Sequence, residues 1–297
     1  MGARAPPYRP EDARTGTVPR LPPTERLHRK SKGLESLPLR RALGVLHEGD
    51  LQATRAVGRA LPALAHLASL AQRALASGGR LVYVGAGTSG RLGALDAAEC
   101  PPTFGVAPSR VIALVAGGAL ALRRSIEGAE DDQEAGRRAV RRARVGARDL
   151  VVGISASGTT PFVLAALEEA RLRHAATGLV TSNPCARPAG VARVLLETGA
   201  ELVAGSTRMK AGSATKMALS LLSTAVMLRL GKVLDGRMVD LTPTSAKLRL
   251  RAKRMVMELS KASAAEAEAA LTQGGWNVRQ ALAALGRGSG SGAGRPQ

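Results

Sequence analysis

Two kinds of side chain in this sequence could do chemistry: carboxylates able to move protons, and hydroxyls gathered where an anion could sit. Glu99 stands in the run Ala97-Ala98-Glu99-Cys100-Pro101, and Glu130 stands in an acidic cluster with Glu127, Asp131 and Asp132. Two carboxylates brought to one rim can serve as general acid and general base, each positioned proton transfer being worth ~100- to 10,000-fold. Asp131 and Asp132 read more simply as solvated charges or as a helix N-cap. The hydroxyls fall in two loops. Thr88 and Ser89 follow Gly85-Ala86-Gly87, while Ser155, Ser157, Thr159 and Thr160 crowd the next one. Each loop leaves a short apolar run and opens a helical pattern. Each therefore meets a helix N-terminus, where unpaired N–H groups and the positive end of the dipole favour an anion. One such loop is an ordinary helix cap; two at strand ends of one sheet point to a phosphate-bearing ligand. A third polar stretch, 205–212, adds Ser206, Arg208 and Lys210, which could complete a phosphate or carboxylate site, or only cap the helix that follows.

Several chemistries are excluded or disfavoured. Gly85, Gly87 and Gly90 satisfy G-x-G-x-x-G, the pattern of a dinucleotide turn. That fold needs an acidic residue at the end of the second strand to hold the ribose, and here the strand runs into Val115-Ala116-Gly117-Gly118. No Gly-Lys-Ser/Thr follows a strand, so a Walker A loop is absent. His28, His47, His66 and His174 lack metal-ligand spacing, and Cys100 and Cys185 form neither a disulfide framework nor a zinc site. From these residues neither a nicotinamide cofactor nor a His or Cys metal site is expected, and two reduced thiols fit a cytoplasmic protein. The formal net charge of +20 invites a nucleic-acid reading. The basic residues are nevertheless mostly spread along the chain, and five aromatic residues (Tyr8, Tyr83, Phe104, Phe162, Trp276) leave little to stack bases on. Neither a secretory leader nor a membrane span is expected.

The elements that must position these groups alternate along the chain. Apolar runs at 81–84, 111–115, 150–154, 177–181 and 194–196 predict strands, with helices between them at 91–100, 120–127, 132–144 and 161–174. Short apolar strands separated by helices imply an α/β fold, a doubly wound parallel sheet covered on both faces. Ligands of such sheets bind beyond the carboxyl ends of the strands, where the glycine and hydroxyl loops lie. Ahead of the sheet come a polar arm at 24–35, a short helix at 37–48 and an amphipathic helix at 53–76. After it come a long helix at 211–231, a helix at 245–259, and a helical pair at 264–273 and 277–285 around a Gly-Gly-Trp turn. The expected division is a disordered leader at 1–23, a ligand-binding domain at 24–235, a helical region at 236–286 and a flexible tail at 287–297.

The segments 85–105 (GAGTSGRLGALDAAECPPTFG), 127–132 (EGAEDD), 155–163 (SASGTTPFV) and 205–216 (GSTRMKAGSATK) resemble the signature segments of the N-acetylmuramic acid 6-phosphate etherase family. That family is built on a sugar isomerase (SIS) domain, a flavodoxin-like three-layer fold, and the resemblance covers about 24–285. It implies a homodimeric cytoplasmic lyase, without metal or redox cofactor, binding a small sugar phosphate rather than nucleic acid or membrane. The lyase would convert N-acetylmuramic acid 6-phosphate to N-acetylglucosamine 6-phosphate and D-lactate in cell-wall amino-sugar recycling. The family's proton-donating glutamate falls on Glu99 and its second active-site glutamate on Glu130. Its phosphate-binding hydroxyls fall among Thr88, Ser89, Ser155, Ser157, Thr159 and Thr160. Apart from the resemblance, the residues themselves offer Gly87, Ser206, Arg208 and Lys210 as candidate substrate contacts. The C-terminal helices resemble a ubiquitin-associated-like bundle. Two positions depart from the family pattern: His28 and Ser245 each replace an asparagine. A rival implied by the same motifs is a non-catalytic sugar-phosphate sensor that regulates a sugar kinase, like the glucokinase regulatory protein, whose chain carries two SIS units against one here. An SIS-type transcription repressor would need an N-terminal helix-turn-helix, and 1–36 is too rich in proline and charge to supply one. A ketose–aldose isomerase would share the loops but not the pair of glutamate motifs.

Overall fold

Five short strands meet in one parallel sheet because each is a compact apolar run that must be covered on both faces. They are β1 (Leu81–Gly85), β2 (Val111–Val115), β3 (Leu150–Ile154), β4 (Ala176–Thr181) and β5 (Ala192–Leu195), in the order β2-β1-β3-β4-β5. The structure is a computed structural model and describes residues 21–240, 243 and 245–286. Most of the expected leader (1–20) and the expected tail (287–297) lie outside the described residues. The described chain divides into two compact units: up to Ala97 with Ser109–Ser223, and Ala98–Pro108 with the residues from Thr224 on. The expected single cut after 235 gave neither 98–108 nor 224–235 to the second unit.

In the first unit the sheet is the middle of three layers. Val82, Val84, Val151 and Leu179 face α3 (Gln133–Arg142) and α4 (Pro161–Leu172), packing against Val140, Phe162, Val163 and Leu167. The opposite face carries Tyr83 and Ile154, which press on Gly93 of α2 (Gly87–Phe104): a Cβ there would lie 2.9 Å from Tyr83 Cβ. Farther across that face, Gly178 of β4 lies so close to α1 (Leu39–Ala76) that a Cβ on it would lie 2.5 Å from Leu67 Cδ1. The buried carboxylate of Asp96 in α2 accepts from the Tyr83 hydroxyl at 2.8 Å and from the Ser223 hydroxyl at 2.9 Å.

Two expectations are corrected here. The helices expected at 37–48 and 53–76 are a single helix, α1, of 38 residues with Pro62 inside it. The apolar rhythm lapses at Gly49-Asp50 because the packing partner demands a small residue. A Cβ on Gly49 would lie 3.1 Å from Leu202 Cδ1 and 3.2 Å from Lys210 Cδ. The helix expected at 120–127 is a short 3-10 helix, Gly118–Leu122, entered through Gly117 at φ 80°. Leu120 and Leu122 are exposed and only Ala121 is buried, so no apolar face exists to fix a longer helix. Helix α5 (Lys210–Arg229) is the one described helix long and apolar enough to cross a membrane, and more than half of it is buried as a core element.

The second unit holds a hairpin absent from the sequence reading, β6 (Val233–Leu234) and β7 (Arg237–Met238), turned by Asp235 at φ 45° and Gly236 at φ 71°. Two consecutive positive φ values are what a tight two-residue hairpin turn requires. Helices α6 (Ala246–Ser260), α7 (Ala264–Gln273) and α8 (Val278–Ala284) enclose a small core of Val239, Val256, Leu271, Val278 and Leu282. Each has a side-chain cap: Ser245, Ser263 in a reciprocal box with Glu266, and Asn277. Ser245, expected to depart from the family pattern, is the N-cap of α6. Asp240 ties the hairpin region to α8 through Lys232 at 2.9 Å and Arg279 at 2.6 Å.

Candidate active site

The sheet order reverses between β1 and β3, and these two strands are paired neighbours with Gly85 opposite Ile154. The glycine turn leaves one strand and the hydroxyl loop leaves the other. Both lie at the switch point, where an open sheet of this kind takes its ligand. The glycine turn is tight for a steric reason. A Cβ on Gly85 would stand 2.6 Å from the Gly90 nitrogen, and a Cβ on Gly90 would stand 2.7 Å from the Gly85 carbonyl oxygen. Only glycine at both positions lets α2 start directly over the end of β1. Thr88 and Ser89 then fall in the first turn of α2, half-buried, beside amides that the helix itself leaves unpaired.

The hydroxyl loop is bound into one shape by its own side chains. Ser155 is buried, accepts the Gly158 amide at 3.0 Å and shares hydrogen bonds with Thr160 Oγ1 at 2.7 Å and Ser157 Oγ at 3.3 Å. Thr159 Oγ1 donates to Ser157 Oγ at 3.0 Å, and Asn183 Nδ2 donates to the Ser157 carbonyl at 2.8 Å. Asn183 has no part in the sequence reading, and nothing in its local pattern marks it. Ser157, Thr159 and Thr160 remain half-exposed, so they can still meet a ligand, whereas Ser155 chiefly shapes the loop.

Glu130 is fixed beside this loop. Its carbonyl accepts the Phe162 amide in the first turn of α4 at 2.9 Å, and its exposed side chain lines a hollow of ≈180 Å³ with Gly87, Arg91, Arg124 and Glu127. Arg91 is held there by the carbonyls of Ala121 at 2.9 Å and Arg124 at 3.2 Å. The structure thus brings Glu130, Gly87 and the hydroxyl loop to one end of the sheet. Asp132 accepts the Ala135 amide at 2.7 Å as the N-cap of α3. Glu99 is exposed within α2. The buried stripe of that helix passes through Ala97 and Cys100 and leaves Glu99 on the other side.

The third polar stretch separates into two roles. Lys210 is a correction: its side chain is buried, and its ammonium donates inward to Gln52 Oε1 at 2.9 Å and the Ala200 carbonyl at 2.8 Å. Burial pulls its pKa down, against the raising influence of Glu201. Glu201, unmarked by any local sequence signal, is fully buried and caps α5 by accepting the amides of Lys210 at 3.0 Å and Ala211 at 2.9 Å. Burial raises the Glu201 pKa, and those two amides and the Lys210 charge oppose the rise. Arg208, by contrast, is exposed and lines a cleft of ≈430 Å³ together with Thr88, while Ser206 is half-buried outside that lining.

The N-terminal arm lies against the strand-to-helix connection before α5. Ser31 Oγ donates to the Leu202 carbonyl at 2.7 Å, and the Gly205 amide donates to the Thr24 carbonyl at 3.3 Å. His28 Nδ1 accepts the Lys30 amide at 3.1 Å, and its pKa is lowered by burial first and then by the charges of Lys210, Arg29 and Lys30. The shift favours the neutral imidazole.

Known proteins sharpen this picture. Residues 64–171 match the family model of the glucokinase regulatory protein N-terminal SIS domain. The fold is also that of a phosphoheptose isomerase from Francisella tularensis, with TM-score 0.50 and 16% identity over 65% of this chain and 100% of that one. An N-acetylmuramic acid 6-phosphate etherase from Halalkalibacterium halodurans is 47% identical over 87% of this chain and 88% of its own. One from Deinococcus radiodurans is 46% identical over 90% of this chain and 88% of its own. At such identity over nearly the whole length, the chain belongs to the N-acetylmuramic acid 6-phosphate etherase family.

Proposed function

We propose that this protein is a carbon–oxygen lyase that cleaves the D-lactyl ether of N-acetylmuramic acid 6-phosphate, giving N-acetylglucosamine 6-phosphate and D-lactate. The observation that carries the reading is the meeting of three parts at the β1/β3 switch point. These are a bare helix start behind Gly85-Ala86-Gly87, a hydroxyl loop braced from within, and Glu130 bonded through its carbonyl to the first turn of α4. The first two suit a phosphate, and the third supplies a proton-transfer group beside it.

The chemistry follows from the substrate. In the open-chain aldehyde the proton at C2 is acidified by the neighbouring carbonyl. Glu130 removes it, and the C3–O bond to the lactyl group breaks as Glu99 protonates the departing ether oxygen. Water then adds at C3 of the unsaturated aldehyde, with one carboxyl group supplying a proton to C2, and the sugar ring closes again. One water is consumed and one D-lactate is released, with no net change of oxidation state, so the scheme calls on no redox cofactor. Thr88, Ser89, Ser157, Thr159 and Thr160 hold the 6-phosphate, with Ser155 keeping the loop in shape. Binding energy at that remote group positions the reacting carbons. The working enzyme is a cytoplasmic homodimer, as the family resemblance implies, with Cys100 buried and Cys185 exposed.

The test is release of D-lactate from N-acetylmuramic acid 6-phosphate by the wild type, Glu99→Gln and Glu130→Gln, with folding checked by circular dichroism. Turnover by the wild type and a loss of ~100- to 10,000-fold in each variant are expected. Binding of the sugar phosphate without any release of lactate would instead fit the sensor reading.

A further inference from the structure

We infer that the cleft between α1, α2 and α5 seats the carboxylate of the lactyl group, with Lys216 and Arg208 as its cationic contacts. The inference rests on the etherase reading and adds a second anion site to it. Most cations of the first unit near the sheet are occupied: Arg80 on Asp149, Arg91 on two carbonyls, Lys210 on Gln52 and Ala200. Arg208 and Lys216 both line the cleft of ≈430 Å³, both are exposed, and neither has a hydrogen bond or ion pair among the described residues. Arg208 lies in the turn just before α5 and Lys216 in the second turn of that helix, and both line the same cleft.

Between them lies Gly212. A Cβ there would stand 3.2 Å from the Thr207 carbonyl oxygen and 3.6 Å from Thr88 Cγ2. Its bare backbone lets the cleft run from the two cations to Thr88 in the first turn of α2. The only acid in the lining is Asp50, which accepts the Ser213 hydroxyl at 3.1 Å. The lining therefore carries two positive side chains against one negative. Its volume falls within the roughly 300–1,000 Å³ of small-molecule sites.

The substrate class explains why a second cationic seat is needed. N-acetylmuramic acid 6-phosphate has two anions, the phosphate at one end and the lactyl carboxylate on the C3 ether. The hydroxyl loop and the start of α2 are built for one of them. A guanidinium and an ammonium converging on one cleft suit the other, since charge-assisted bonds to a carboxylate are the strong ones. The carboxylate keeps its charge through the reaction, so these contacts bind ground state and transition state alike. Their loss should raise KM and leave kcat nearly intact.

The experiment uses the full chain with Lys216→Met and Arg208→Met, reading D-lactate release and inhibition by each product separately. KM for N-acetylmuramic acid 6-phosphate should rise about 10- to 100-fold in each variant, the range for one lost charged hydrogen bond. Inhibition by D-lactate should weaken, while inhibition by N-acetylglucosamine 6-phosphate, which lacks the carboxylate, should not change. Lys216→Arg should retain most of the affinity. Unchanged KM in both methionine variants, or equal weakening toward N-acetylglucosamine 6-phosphate, overturns the assignment while leaving the etherase reading intact. A wild type that releases no lactate overturns both.

Discussion

Glu201 holds the first turn of α5, and removing it should loosen the segment that carries Gly212 and Lys216. The side chain is fully buried, with Oε2 accepting the Lys210 amide at 3.0 Å and Oε1 the Ala211 amide at 2.9 Å. Glu201→Ala leaves two buried donors without a partner, each costing ~1–3 kcal/mol. The change also relieves the cost of burying a carboxylate, whose pKa is raised chiefly by that burial. The net loss should therefore sit in the lower half of the sum, at ~2–4 kcal/mol. Glu201→Gln keeps one acceptor and turns an NH₂ toward the second amide, so ~1–3 kcal/mol is expected. The pH dependence has a definite sign. A raised folded pKa means that the native state binds more protons than the unfolded chain between the usual value, 4.5, and the folded one. Stability from this residue then falls as pH rises through that window, and the slope disappears in Glu201→Gln. The assay is native-state hydrogen exchange at the Ala211 amide, which reads the local opening without assuming that both units unfold together. A Glu201→Ala protein whose Ala211 amide exchanges at the wild-type rate, with an unchanged melting temperature, would refute the reasoning.

Gly158→Ala should destabilise the first unit by ~2–5 kcal/mol, from a left-handed backbone and an overpacked contact together. Its φ is 70°, and a Cβ would lie 2.2 Å from Ala186 Cβ and 2.8 Å from Thr181 Oγ1; a melting temperature within a degree or two of wild type would contradict this. For Asp149→Asn a loss of ~2–3 kcal/mol is expected, below the usual cost of breaking a buried pair because Arg80 is partly exposed. Burial raises the Asp149 pKa, but the Arg80 guanidinium and the Gly146 and Arg80 amides outweigh it and leave it lowered. This contribution is full above the unfolded value of 3.8 and is lost as pH falls through the folded one, so the gap between wild type and variant should close in acid. At Ser245, Ala should cost ~1 kcal/mol in the second unit while Asn should be nearly neutral, as read by urea unfolding. Equal losses for both would mean that the cap seen at Leu248 carries no weight.

The strands were legible because each is a closed apolar run: 111–115 and 150–154 are β2 and β3 to the residue. The C-terminal helical pair was legible as two helical runs parted by the Gly-Gly-Trp turn, and the structure shows Ser263 and Asn277 capping them. The glycine turn and the hydroxyl loop could likewise be recognised as helix starts from residue type and spacing alone. The Asp235-Gly236 turn was a readable signal that the sequence reading passed over.

What no local pattern could decide was partnership. That β1 and β3 lie side by side, so that the two loops share one switch point, depends on strand pairing between residues nearly seventy positions apart. Gly49 breaks the helical rhythm of α1 because Leu202 and Lys210 close over it from the far end of the chain. The same packing turns Lys210 inward and leaves Arg208 facing the cleft, although two lysine or arginine positions in one short stretch look alike in sequence. Periodicity and turn chemistry act over a few residues and are written in the sequence directly. Which charge is buried, and against which partner, is settled by contacts that exist only once distant segments have met.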